Sequence, residues 1–375
     1  MDKNLPVLEK NKKLVLNKSK SLMNITNKIL TKKSIESSDE KWIDALWKWA
    51  DDNGLEDTSW VEFNGGYWRG FPRNREKLLN QRGLYLGENH LENIPKEIGR
   101  LVGLTELILP YNRLKSLPLE IGNLIHLKEL IISFNHLEEL SKNIGYLHDL
   151  KKLVLNNNNL TTIPDEIGNL TKLEQLSLSE NRLEELPRSI GFLKSLSRLL
   201  LKNNHLGSLP KEIGNLHNLK GLWLDNNQLD SLPEEINRLS GLKELNLGHN
   251  RLDHISNINN LKNLSTLTLN NNRLKELPED IDQLHKLTVL SLSHNNLTTI
   301  PDSITKLMDL EELTISNNNL RTLPEDIVYL KNLNRVSLEK NPNLILTPKQ
   351  KEWISDSKVK NRWKITIDKD LLERY

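Results

Sequence analysis

The sequence predicts an α/β repeat fold, a right-handed solenoid bent into a horseshoe with about twelve parallel strands on its concave face. Three observations carry that expectation. A 23-residue period runs from Gln81 to about Pro348. Each unit opens on L-x-x-L-x-L, the period-two alternation of a short strand with one buried face. Each unit then closes through L-P-x-x-I-x-x-L, where Pro starts a helical or 3₁₀ turn and Ile and Leu three apart face inward.

Residues 1–35 hold nine Lys against only Asp2 and Glu9, with many Ser, Thr and Asn and no sustained periodicity. This composition predicts a disordered basic tail. A translocation signal, a tether to an anionic surface and a merely solvated tail all fit it. Its longest apolar run, Leu14-Val15-Leu16, is too short for a secretion signal.

Residues 36–80 are rich in aromatic side chains and are expected to cap the first edge of the solenoid. Residues 38–51 read as an amphipathic helix. Ser37 and Glu40 have the spacing of a capping box, Trp42, Ile43, Leu46, Trp47 and Ala50 form an apolar stripe, and Gly54 follows the end. Trp60, Phe63, Tyr67, Trp68 and Phe71 are expected to complete the lid before a short helical turn at Glu76 to Leu79.

The solenoid proper spans residues 81–348. In its fifth unit Leu173, Leu176, Leu178, Asn181, Leu183, Leu186, Pro187, Ile190 and Leu193 occupy every signature position. Alternation puts Leu176 and Leu178 on one face of a strand and Ser177 on the other. Such a strand cannot stand alone, so stacked neighbours supply its hydrogen bonds and bury the Leu ladder. The ninth position is Asn in every unit, from Asn89 through Asn181 to Asn341. An inward amide there can donate to and accept from backbone groups that lose their ladder partners where the chain leaves the strand. Helical segments are wider than strands spaced about 4.8 Å apart, so the stack bends with its strands inside, along an inner arc of roughly 55 Å. Two units depart from the pattern. Ser141 stands where the third unit should have Pro, and the eighth is one residue short with Ser256 at that place.

Residues 349–375 are expected to form the opposite cap. Pro348 starts a helix to about Ser357, and Trp363, Ile365 and Ile367 alternate as a strand would.

These units resemble the leucine-rich-repeat family, in its 23-residue L-P-x-E-I-G-x-L variety, along residues 81–348. Similar repeats occur in bacterial repeat proteins and in eukaryotic signalling scaffolds of the Scribble and Ras-scaffold type. The block ending in W-A-D at Trp49 to Asp51, with F-P-R-N-x-E-K-L-L-N at Phe71 to Asn80, is similar to N-terminal caps of some bacterial leucine-rich-repeat proteins. The resemblance implies protein binding and nothing narrower, because the family serves many roles.

Composition excludes several chemistries. There is no Cys, which removes disulfides, thiolate metal sites and Cys nucleophiles together. Some bacterial effectors join leucine-rich repeats to a Cys-dependent ubiquitin-ligase domain; with no Cys, and little room for that domain after residue 348, ligase activity is not expected. With 52 basic and 50 acidic residues, bulk charge gives no reason to expect a nucleic-acid partner. No run of 18 apolar residues offers a membrane span. No G-x-x-x-x-G-K-[ST], H-E-x-x-H or G-x-S-x-G occurs. His249 and His294 share the eighth position two repeats apart, beyond easy joint coordination, and His90, His136 and His205 at the tenth are equally spread. No catalytic residue, metal site or cofactor is expected.

The side chains between the Leu rungs should face a partner. The fifth-position column runs Tyr85, Ile108, Ile131, Val154, Ser177, Leu200 and Trp223, an apolar first half, and then turns polar at Asn246, Thr268, Ser291, Thr314 and Ser337. Tyr111 and Phe134, at the eighth position, enlarge the apolar end. Exposed apolar strips and aromatic residues mark interaction sites. The expected function is a monomeric, non-catalytic scaffold, cytoplasmic or translocated into a host cell as a bacterial effector, that binds a protein on this strip. A surface adhesion or structural repeat protein is the alternative, and an enzyme the third class.

Overall fold

The computed structural model describes residues 41–61, 67–255, 258–359 and 364–373. By its contacts the chain divides into two units, residues 1–45 and 46–375. Within the first, the described residues are the opening turn of helix α1 (Lys41–Asp52). The expected tail, Ser37, Glu40, Phe63, Ser256 and Trp363 lie outside the described residues, as do the side chains of Trp60, Tyr67 and Trp68.

The second unit is built on one 15-stranded sheet whose spatial order is the chain order. Strands β1 (Ser59–Val61) and β2 (Tyr67–Arg69) form an antiparallel pair that sequence reasoning did not anticipate. From β2 onward every pairing is parallel, through β3 (Gly83–Tyr85) to Arg335–Ser337 and the final strand Lys364–Thr366. Twelve of these three-residue strands are those of the repeats, one per unit from β3 to Arg335–Ser337, as the periodicity predicts. In-register pairing follows from the repeat length. Leu153 faces Leu130 and Leu176, and the Leu rungs are fully buried.

Among the described residues ten of the twelve return segments carry a short 3₁₀ turn, such as Arg188–Phe192 after Pro187. Pro fixes φ just ahead of the turn, and Ile190 and Leu193 enter the core with no exposed surface. At Gly191 an added Cβ would lie 2.6 Å from the Glu212 carbonyl, so the absence of a side chain there sets how closely successive turns stack. Ser141 keeps the proline-like backbone at φ −58°, ψ 140° and caps its turn, its hydroxyl accepting from the Asn143 N–H at 3.2 Å.

The Asn column forms the predicted ladder. The amide Nδ2 of Asn181 donates to Leu155 O at 2.9 Å, Leu178 O at 3.0 Å and Ser179 O at 3.2 Å, and its Oδ1 accepts from Leu160 N at 3.1 Å. The short eighth unit leaves this column intact, because Asn272 still reaches Leu247 O at 2.9 Å and Leu252 N at 3.0 Å. The deletion is absorbed in the return segment, where the described residues form no 3₁₀ turn before the buried Ile258 and Leu261.

Aromatic packing begins the second unit. Trp49 and Phe71, both buried, meet edge to face at 5.7 Å between ring centroids and 77° between planes. The stripe expected on α1 therefore needs amendment: Leu46 and Ala50 are buried, Trp49 joins them, and Trp47 is only half-buried, its Nε1 donating to Pro72 O at 2.9 Å. Arg73 ties this region together by donating to Trp47 O and Leu55 O and pairing with Asp51 at 2.9 Å, a cation suited to a helix C-terminus. A second helix, α2 (Arg75–Leu79), is capped by Asn74, whose side chain accepts from Lys77 N. At the other end α3 (Pro348–Val359) precedes the last strand. No helix among the described residues is long and apolar enough to cross a membrane.

Candidate functional site

Alternation along each strand sends the third and fifth positions to the sheet face opposite the Leu ladder. Tyr85, Ile108, Ile131, Val154, Leu200 and Trp223 are all there, half-buried rather than fully exposed. Neighbouring strands crowd them from both sides, and this crowding is invisible to a reading of single columns. Ser177, fully enclosed, interrupts the strip between Val154 and Leu200. Its hydroxyl accepts from Gln175 Nε2 at 3.1 Å.

Two aromatic side chains lie flat because glycine lets them. A Cβ at Gly221 would sit 2.1 Å from the Trp223 indole, and one at Gly83 would sit 2.7 Å from the Tyr85 ring. Residues two apart on a strand share a face, so the third-position glycine leaves the space that the fifth-position ring covers. The motifs Gly83-Leu84-Tyr85 and Gly221-Leu222-Trp223 carried that signal, which column reading missed. The Tyr85 hydroxyl is also bonded to the Glu106 carboxylate. Burial first, then that bond and the charge of Glu106, push the phenol above its ordinary range, so it stays protonated.

The eighth position has a property that residue identity alone does not reveal. In every repeat it is left-handed, with φ between 53° and 62° in the twelve residues from Glu88 to Lys340. The chain turns out of the strand at this point. The N–H of the eighth residue then bonds the seventh carbonyl of the next repeat, as from Tyr111 N to Ser133 O at 3.0 Å. Five repeats place Asn there, a residue that tolerates this conformation. Tyr111 and Phe134 occupy the same backbone state with bulky rings, 51% and 43% exposed. Their rings stack at 4.4 Å between centroids and 10° between planes. Tyr111 and Phe134 thus form a contiguous aromatic surface beside Ile108 and Ile131 of the preceding strands.

Charges on this face are largely matched. Lys152 pairs with Glu129 at 3.4 Å and Lys202 with Asp225 at 3.7 Å. Burial raises the Asp225 carboxyl above its ordinary value, against the smaller opposing pull of Lys202 and His249. His249 Nε2 lies 3.2 Å from Asn271 Nδ2, and His294, in the same column, is exposed. Among the described residues no three His, Asp or Glu side chains are grouped as a metal site would require.

Farther along the face, the polar half of the fifth-position column contributes to a depression of about 430 Å³. It spans strands Val289–Ser291, Glu312–Thr314, Arg335–Ser337 and Lys364–Thr366. The sequence showed the polar column but not the hollow, because its lining is assembled from side chains of several neighbouring strands.

Known proteins agree with this architecture. The family model described as a leucine-rich repeat region matches residues 134–253 and 246–344. No curated protein matches the chain. Among solved structures, a leucine-rich-repeat protein of Leptospira interrogans is 35% identical, with a TM-score of 0.69 over 81% of this chain and 89% of that one. An internalin of Listeria monocytogenes shares the fold at 22% identity and a TM-score of 0.68, over 80% of this chain and 85% of its own. A plant peptide hormone receptor, RGFR1, solved in complex with RGF2, is 28% identical with a TM-score of 0.60, over 80% of this chain and 53% of the receptor. In-register Leu rungs, a continuous Asn ladder and these matches together place the chain in the leucine-rich-repeat family.

Proposed function

We propose that the chain is a non-catalytic scaffold that holds a protein partner on the N-terminal half of its sheet face. The observation that carries this reading is the stacked pair Tyr111 and Phe134, half-exposed on left-handed backbone. Bulky residues in that conformation are costly, and such positions cluster where a function requires them. The adjacent apolar strip of Ile108, Ile131 and Val154 extends the patch across successive strands. A protein fits this surface best, because aromatic anchors inside an aliphatic surround are the usual centre of a protein interface. The plant receptor similar to this chain, solved in complex with RGF2, supports a ligand held by a fold of this kind.

The test is site-resolved crosslinking. A photoreactive residue at position 111 or 134 should join a captured partner, and one at position 192 on the outer 3₁₀ layer should not. Tyr111→Ala with Phe134→Ala should lower affinity for that partner at least tenfold, in line with loss of roughly 2 kcal/mol at an aromatic hot spot. Unchanged affinity, or crosslinks confined to the outer layer, would refute the proposal.

A further inference from the structure

We propose that the polar depression at the C-terminal end of the sheet face is a second binding site, specific for a neutral oligosaccharide. Its wall is made of hydroxyls from Ser291, Ser293, Thr314, Ser337 and Thr366. The amides of Asn270 and Asn271 close one side. Hydroxyls and amides both donate and accept, which matches a ligand whose own groups are hydroxyls.

Charge and apolar content decide against other ligands. The one carboxylate in the lining, Glu312, is engaged through both oxygens by Arg335, at 3.2 and 3.3 Å. That pair leaves Lys364 as the remaining strong cation of the lining, too little for the phosphate contacts of a nucleic acid. The one aliphatic lining residue, Val336, is 1% exposed and belongs to the core, so a protein would find no apolar anchor. About 430 Å³ is room enough for a small ligand.

Trp223 extends the site. Its strand lies three strands from Val289–Ser291, roughly 14 Å at about 4.8 Å per strand. The indole lies over Gly221 and is half-buried, so its remaining exposed surface is what a sugar ring would stack on through its C–H face. A disaccharide seated in the depression would not reach it, whereas a longer chain would.

The experiment uses the full chain and a printed array of neutral glycans. It is followed by calorimetric titration with hexamers and dimers of the best series among malto-, cello-, manno- and chito-oligosaccharides. At least one hexamer should bind, and its dimer should bind at least fivefold more weakly. Trp223→Ala should reduce hexamer affinity to the level of the dimer and leave the dimer unaffected, with Trp223→Phe restoring most of the difference. Thr314→Val with Ser337→Val should weaken both ligands tenfold at an unchanged melting temperature. Tyr111→Ala with Phe134→Ala should change neither, which separates this site from the protein-binding patch. Absence of binding across the array would overturn the proposal. So would binding confined to sulfated glycans that salt abolishes, or hydroxyl variants with wild-type affinity.

Discussion

The rings of Tyr111 and Phe134 lie parallel, 4.4 Å apart, on two successive residues of a column whose backbone is left-handed throughout. For stability this arrangement is a net cost. Left-handed backbone costs each of the two bulky residues about 1–2 kcal/mol, whereas the one aromatic pair gains only about 0.5–1.5 kcal/mol. Replacing both with Asn, the residue that five other repeats hold there, relieves part of the strain and removes the stack. The melting temperature is expected to stay within roughly 4 °C of the parent or rise, while partner affinity falls. A marked drop in melting temperature would make the pair a structural element.

The Asn ladder should behave oppositely. Asn181→Ala leaves Leu160 N without its acceptor in a buried channel, whereas Leu155 O keeps the Asn158 amide at 3.0 Å. One buried donor orphaned in this way costs about 1–3 kcal/mol, the loss the variant should show in urea titration. Neighbouring repeats stabilise one another, so amide exchange should accelerate first around the fifth unit. Asn89 is half-buried at the first rung and donates to Gly87 O, and its replacement should cost about 1 kcal/mol. Equal losses at both positions would contradict the burial gradient.

How much of this was legible in the sequence depends on the range of the interaction involved. Leu176, Asn181, Pro187 and Ile190 recur at fixed spacing, so strand, ladder and return turn follow from one repeat stacked on its copy. The antiparallel pair Ser59–Val61 with Tyr67–Arg69 has no such repetition and lacked a clear alternating pattern. On the sheet face, residue types were readable but their setting was not. Exposure of Ile108 is decided by the strands on either side of it, and the flat pose of Trp223 by a glycine two residues away. The conformation at Tyr111 was the least legible feature, because left-handed backbone there is imposed by the turn shared among repeats and not by the residue occupying it.

Asp225 gives a pH-dependent prediction. Burial is the largest influence on its carboxyl and raises the native pKa above the ordinary 3.8. A raised native value means that the folded state binds the proton more tightly than the unfolded one. Its contribution therefore opposes folding above the native pKa, and the opposition fades as pH falls toward 3.8. Asp225→Asn should raise stability at pH 7, and the gain should shrink through that window in melts recorded at successive pH values. A variant less stable than the parent at pH 7 would mean that the attraction to Lys202, 3.7 Å away, outweighs burial.

The last repeat depends on Gln350, which is fully buried. Its Nε2 donates to Leu323 O at 3.1 Å and Pro324 O at 3.0 Å, while its Oε1 accepts from Thr347 N at 3.1 Å. Thr347 answers by accepting from Gln350 N at 3.3 Å, so the pair forms a reciprocal cap at the start of α3 and joins it to the eleventh repeat. Gln350→Glu keeps the shape and the acceptor but replaces the donor with a carboxylate facing two carbonyl oxygens. Burial and those carbonyls must raise the pKa of the introduced Glu, so the defect is greatest when it is ionised and diminishes as pH falls and the acid regains an O–H donor. At pH 7 the variant should lose exchange protection in strand Arg335–Ser337 and the final strand, with the fifth repeat unchanged. At pH 4 much of that protection should return. Protection lost equally at both pH values would show that α3 is held by the packing of Ile354 rather than by this hydrogen-bonded cap.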